Sequence, residues 1–174
     1  MKKYILAMCA LSTFGVAHAH IDDYLPEAKL AESTASLKKG YVGAGISQQL
    51  LHGNFEWVNP YGIAYAKAGV FINDDNEPGA QVGFRFPYHL TGTDQNGYYF
   101  GVYAGHLESV EVDGENFERL GAGVDLAYVL LNATRISTIS VGIGAAEKIE
   151  GRNGGKKDIE PQLQFAYSLS FGAF

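Results

Sequence analysis

Cysteine is nearly absent: Cys9 is the single one in 174 residues. That excludes a disulfide framework and a thiolate metal centre. Positive charge is scarce as well. Thirteen Lys and Arg stand against 19 Asp and Glu, a formal charge of −6. A nucleic-acid partner needs clustered Lys and Arg for phosphate, so none is expected. Charged residues of both signs make up only 18% of the chain, against about 25% in an ordinary soluble domain. No apolar run is long enough for a membrane-spanning helix. What the chain does have is 22 Gly, 11 Tyr and 10 Phe, with 47% hydrophobic residues. Much Gly and aromatic content with few charges points to a single all-β domain rich in tight turns.

The first residues read as a leader, not as part of the fold. Met1-Lys2-Lys3 is a basic start, Tyr4 to Val16 is a short apolar run, and Ala17-His18-Ala19 is a small-x-small cleavage site. Residues 1–19 are therefore expected to be a signal peptide, with the mature chain starting at His20. Cys9 leaves with it, and loss of Lys2 and Lys3 takes the charge from −6 to −8. Residues 20–39 hold Pro26 and several charges, with Leu25, Ala28, Ala31, Ala35 and Leu37 at helical spacing before Gly40. This short N-terminal periplasmic segment reads as an interfacial helix, a plug or a mobile tail.

From Gly40 the apolar period becomes two. Val42, Ala44 and Ile46 alternate with Tyr41, Gly43, Gly45 and Ser47, and the same pattern recurs through Ala80–Tyr88, Leu120–Leu130, Ile139–Ala145 and Leu163–Phe171. Turn chemistry divides these runs: His52-Gly53-Asn54, Asn59-Pro60-Tyr61-Gly62, 73–79, 91–97, Asp113-Gly114-Glu115-Asn116, 131–134 and the Gly-rich 151–158. The expectation is eight strands: 40–51, 54–59, 61–73, 79–90, 98–111, 117–131, 134–149 and 159–174. An even number closes an all-antiparallel ring. The second strand is short, and merging it with the third leaves seven.

Alternation alone does not say which face meets water. The polar face here is mostly Gly, Ser and Gln, with only Glu56, Lys67, Arg85, Arg119 and Asp125 charged. A soluble surface carries far more Lys and Glu. Aromatics gather near predicted strand ends, at Trp57, Tyr61, Tyr88, Tyr98, Tyr99, Tyr128 and Phe171, as in an interfacial girdle. A plain aromatic core is the competing reading. With the apolar face outward, the five charges turn into the lumen, where they are expected to pair in a filled, hydrogen-bonded network.

The leader, the repeated dyad strands and the terminal Phe resemble the small outer-membrane β-barrels of Gram-negative bacteria, with the architecture of the OmpA transmembrane domain and OmpX. The resemblance spans 40–174 and lies in pattern, not in one motif. Val82-Gly83-Phe84-Arg85-Phe86-Pro87 is similar to a stretch of YfaZ-type barrel proteins. The resemblance implies an eight-stranded antiparallel transmembrane β-barrel in the outer membrane, lying in lipid and lipopolysaccharide. It also implies a last strand whose aromatic terminus is read by the barrel-assembly machinery. The phase of Leu163, Phe165, Tyr167, Leu169 and Phe171 leaves Phe174 on the opposite face. Either Phe171 is the signal, or a bulge near Gly172 restores the phase.

Little in the chain reads as chemistry. His106-Leu107-Glu108-Ser109 is the nearest candidate, but His106 and Ser109 fall on opposite strand faces. Gly151 to Gly155 lacks the Lys-Ser/Thr of a phosphate loop and reads as a mobile external loop. No catalytic residue, metal or cofactor is expected. The leading expectation is a monomeric, non-enzymatic outer-membrane barrel with a structural or surface-interaction role. A small porin-like channel and a soluble periplasmic barrel holding an apolar ligand are the alternatives.

Overall fold

The computed structural model describes residues 37–72, 76–91, 96–151 and 153–174. The expected signal peptide and nearly all of the 20–39 segment lie outside the described residues. The barrel strands are β1 (Gly40–Ser47), β2 (Leu50–Asn59), β3 (Gly62–Phe71), β4 (Pro78–Leu90), β5 (Gly97–Val112), β6 (Glu115–Leu131), β7 (Arg135–Ala146) and β10 (Pro161–Gly172). Each pairs antiparallel with its neighbours, and β10 returns to β1 to close the ring. A two-residue hairpin of β8 (Ile149–Glu150) and β9 (Lys156–Lys157) sits in the connection between β7 and β10. The described residues are thus all-β, a closed eight-stranded antiparallel barrel.

The start of β1, the end of β10 and the strand ends at Asn59/Gly62, Leu90/Gly97 and Leu131/Arg135 lie at one end of this barrel, called here the termini end. The strand ends at Ser47/Leu50, Phe71/Pro78, Val112/Glu115 and Ala146/Pro161 lie at the other, the loop end. Asn side chains shape the tight turns at the termini end. Asn59 Oδ1 accepts the Tyr61 N–H at 2.9 Å, and Asn132 Oδ1 accepts those of Thr134 and Arg135, each at 2.9 Å. Asp113 and Gly114, at φ 57° and 81°, turn the β5–β6 hairpin.

Two features depart from the sequence reading. The first turn is at Gln48-Gln49, with Gln48 at φ 52°, and not at His52-Gly53-Asn54. β2 runs from Leu50 to Asn59 as one strand, with His52, Asn54 and Glu56 on its inner face. The reason is phase: Leu51, Phe55 and Trp57 alternate with these polar residues without a break. The pairing also slips twice, between Pro87 and His89 and between His106 and Glu108. Pro87 has no N–H to give a ladder, so a bulge suits it. That bulge leaves His89 exposed.

The two walls of the barrel are opposite in chemistry. Outward-facing Val42, Leu51, Phe55, Val82, Phe100, Leu126, Val141, Leu163 and Phe165 are each exposed by 39–59%. Inward-facing Asn54, Glu56, Lys67, Gln81, Arg85, Asp125, Ser140, Gln164 and Ser170 are buried.

Candidate functional site

The lumen is built in layers. Nearest the termini end is an apolar layer of Tyr41, Val58, Ile63, Tyr99, Ala127, Val129, Leu131 and Ile136, against which Leu37 and Leu90 pack. Tyr41 Oη donates to the Asn132 carbonyl at 2.9 Å, tying β1 to the β6–β7 turn.

Above it lie Glu56, Arg85 and Asp125. Among the described residues Glu56 has no ion-pair partner. Its Oε1 accepts Asn54 Nδ2 at 2.9 Å and Ser168 Oγ at 3.3 Å, and the same Asn54 nitrogen donates to Ser170 Oγ at 2.7 Å. Arg85 Nη2 is 3.9 Å from Asp125 Oδ2, the outer limit of an ion pair. Its guanidinium also lies over the Tyr65 ring, 4.3 Å from the centroid. Lys67 approaches the same ring, at 5.0 Å, and donates to Ser47 Oγ at 2.9 Å. Ser47 Oγ in turn is 3.0 Å from His52 Nε2. Of the five lumen charges, Arg85 and Asp125 pair with each other, whereas Glu56 and Lys67 are served by neutral polar groups and the Tyr65 face.

Glycine makes this crowding feasible. A Cβ on Gly83 would strike the Tyr65 ring, and one on Gly101 would strike the Asp125 carboxylate. Between these side chains is a cavity of ≈ 20 Å³, lined by Ser47, Tyr65, Lys67, Gln81, Tyr103, Asp125, Ser140 and Gln164 among others.

Arg119 closes the loop end. It is fully buried. Its Nη1 pairs with Glu108, its Nε donates to the Glu147 carbonyl at 2.8 Å, and its Nη2 donates to that of Asp158 at 2.8 Å. Asp113 Oδ2 accepts the backbone N–H of Asn153 at 2.9 Å and of Gly155 at 3.0 Å. The Gly-rich segment, read above as a mobile loop, is thus strapped to the β5–β6 hairpin. Beside it, Lys148 bonds Glu150 at 2.5 Å and holds that carboxyl below its ordinary range.

The structure turns all five sequence-predicted lumen residues inward and buries them. Glu56, Lys67, Arg85 and Asp125 share one neighbourhood, and Arg119 stands apart at the mouth. The girdle residues divide. Trp57, Tyr61, Tyr88, Tyr98 and Phe171 are exposed on the outer wall, and Tyr128 meets Tyr98 edge-on at 5.0 Å. Tyr99 is a correction: it is buried in the apolar layer, because alternation sends adjacent Tyr98 and Tyr99 to opposite faces.

Phe171 and Phe174 both end on the outer wall, each more than half exposed. Beyond Gly172 the Gly40 carbonyl accepts both the Ala173 and Phe174 N–H groups, at 2.8 and 3.4 Å. Two residues thus oppose one, which restores the phase. Phe174 stacks on Phe55, with ring centroids 6.2 Å apart.

The sequence reading missed Ser47, His52 and Asn54 as lumen residues; unbroken alternation across Leu50–Val58 was the signal for the last two. It also missed Glu108 as the partner of Arg119, which the bulge at Leu107 hides. His106 Nδ1 lies against the Ala80 backbone, 3.2 Å from its nitrogen, while Ser109 is buried on the inner face. Among the described residues no group of three His, Cys, Asp or Glu is placed to hold a metal ion. No protein-family model, curated protein or solved structure matches the chain. The geometry alone defines the class: a closed eight-stranded barrel, apolar outside and polar within.

Proposed function

We propose that the protein is an integral outer-membrane β-barrel without enzymatic activity. Its lumen is filled by side chains, and its role is in envelope integrity or in surface contact through the loop end. One observation carries this reading: every barrel strand presents apolar side chains on its outer wall, while the buried interior holds, beside its apolar residues, Glu56, Lys67, Arg85, Asp125 and Arg119. In water that arrangement would expose the hydrophobic wall and bury the charges, losing on both counts. In lipid it is the favourable one, and a closed ring leaves no strand edge unpaired.

The reading puts the termini end in the periplasm and the loop end outside, with lipid and lipopolysaccharide around the wall. Phe171 and Phe174, both on that wall, serve as the assembly signal for the barrel-assembly machinery. The test is to express the full precursor in a Gram-negative host and fractionate it. Recovery in the outer membrane, with faster gel migration unheated than heated, supports the proposal. A soluble periplasmic protein with no heat shift would overturn it.

A further inference from the structure

One strand of the outer wall is unlike the rest. β3 turns Ala64, Ala66 and Ala68 outward, with Val70 as its one large side chain there, while each other barrel strand turns out at least two. The register sets these alanines between larger neighbours. Trp57, Ala64 and Phe84 form one row across β2, β3 and β4, and Phe55, Ala66 and Val82 form the next. The result is an apolar trough along β3. Ala64 and Ala66 are its floor, Phe55, Trp57 and Phe174 are its bank, and its open volume is ≈ 420 Å³. Phe174 is fixed there by stacking on Phe55. Lys39 stands at the head of the trough. Its N–H donates to the Phe174 carbonyl at 2.9 Å, and its carbonyl accepts the Val58 N–H at 2.8 Å. Lys38, Lys39 and Arg135 are all exposed on this rim, and among the described residues the rim has no exposed acidic side chain.

We propose that this trough binds one acyl chain of an anionic phospholipid, with the phosphate held at Lys38 and Lys39. The proposal rests on the outer-membrane reading, which sets the wall in lipid and the termini end in the periplasmic leaflet. A hollow in such a wall does not stay empty, because an empty one forfeits the dispersion contacts of every group that lines it. A flexible hydrocarbon chain fits a narrow trough banked by rings. The cationic rim then selects among headgroups, since Lys and Arg at a membrane surface attract anionic lipid. A second copy of the protein is the other apolar filler. Meeting face to face, two copies would bring Lys38 and Lys39 of both rims together with no exposed carboxylate among the described residues to offset them. Shape and charge thus point to the same occupant.

Trp57 is the single tryptophan of the chain and lines the trough, so its fluorescence reads the occupant. The full chain is refolded into phosphatidylcholine vesicles holding a minor share of phosphatidylglycerol. Bromine, a contact quencher, is carried on the acyl chains of one lipid or the other at equal mole fraction. Heat-shifted migration reports insertion. Brominated phosphatidylglycerol is expected to associate at Trp57 about five-fold more strongly than brominated phosphatidylcholine, the scale of one lysine at a lipid surface. Lys38→Gln/Lys39→Gln should abolish the preference. So should Ala66→Leu, which fills the floor and leaves the lysines in place. Equal quenching in the parent, or a preference that survives Ala66→Leu, would overturn the site while leaving the inserted barrel intact. Weak quenching by both lipids in an inserted barrel would mean that a second copy covers the trough, and would overturn the site as well. Failure to insert, with no heat shift, would overturn the outer-membrane reading and the site with it.

Discussion

The two ends of the barrel solve different problems with the same strands. At the termini end the interior is apolar, the outer wall carries Trp57, Tyr61, Tyr88, Tyr98, Phe171 and Phe174, and the rim carries Lys38, Lys39 and Arg135. At the loop end the interior mixes polar groups with buried Leu50, Phe71 and Leu107, and the outer wall is aliphatic, with Ile46, Leu51, Val82, Leu120, Val124 and Ile143. Its connections carry Glu77, Asp113, Glu147 and Asp158. Inside, apolar side chains form the layer at the termini end and a smaller cluster of Tyr65, Tyr103, Leu107 and Ala146; outside, they cover the wall. Packing of the termini end is ordinary hydrophobic packing turned inward. The loop end is held by hydrogen bonds, with Arg119 as the hub.

If that contrast is right, the largest loss should come from the apolar layer. Tyr99→Ala empties a fully buried ring site and should cost about 3–5 kcal/mol, read as a lower urea midpoint in detergent or vesicles. Next is the outer wall. Leu126→Arg, in mid-strand, should cost about 2–4 kcal/mol in a bilayer, and Tyr61→Arg at the rim about 0–1 kcal/mol. Equal, small effects at both positions would break the inside-out picture. At the loop end, Asp113→Ala removes the acceptor of two strap hydrogen bonds and should cost about 1 kcal/mol. Faster proteolysis of 147–160 would report it. The last change is a gain: Gln48→Gly relieves a non-glycine residue at φ 52° and should stabilise by a few tenths of a kcal/mol up to about 1 kcal/mol.

Much of this fold could be read from alternation, because along a barrel strand successive residues face alternately outward and inward. The five lumen charges were legible for that reason. The misreadings share a cause too. In a water-soluble sheet a polar cluster such as His52-Gly53-Asn54 marks a turn, but here the interior itself is polar, so polarity no longer separates turn from core. The true turn uses Gln48-Gln49, with neither Gly nor Asn to announce it. Glu108 was hidden because the bulge at Leu107 shifts its phase against Arg119. Tyr99 was grouped with Tyr98 by position along the strand, although period two separates them. The apolar layer was not foreseen at all. Its members come from six strands, and only the closed register brings them to one level.

The hydrogen bonds that stitch β2 to β10 across the intervening β1 bear on how the chain folds. Asn54 and Ser170 meet across 116 residues, and Glu56 and Ser168 across 112. Hairpins along the rest of the sheet can form from neighbouring residues, but this seam must wait until almost the whole chain is in place. Loop-closure entropy therefore falls on a single late event, and high contact order makes that event slow. Until it happens, β1 and β10 are bare edges beside a hydrophobic wall, the state in which the chain is most prone to aggregate.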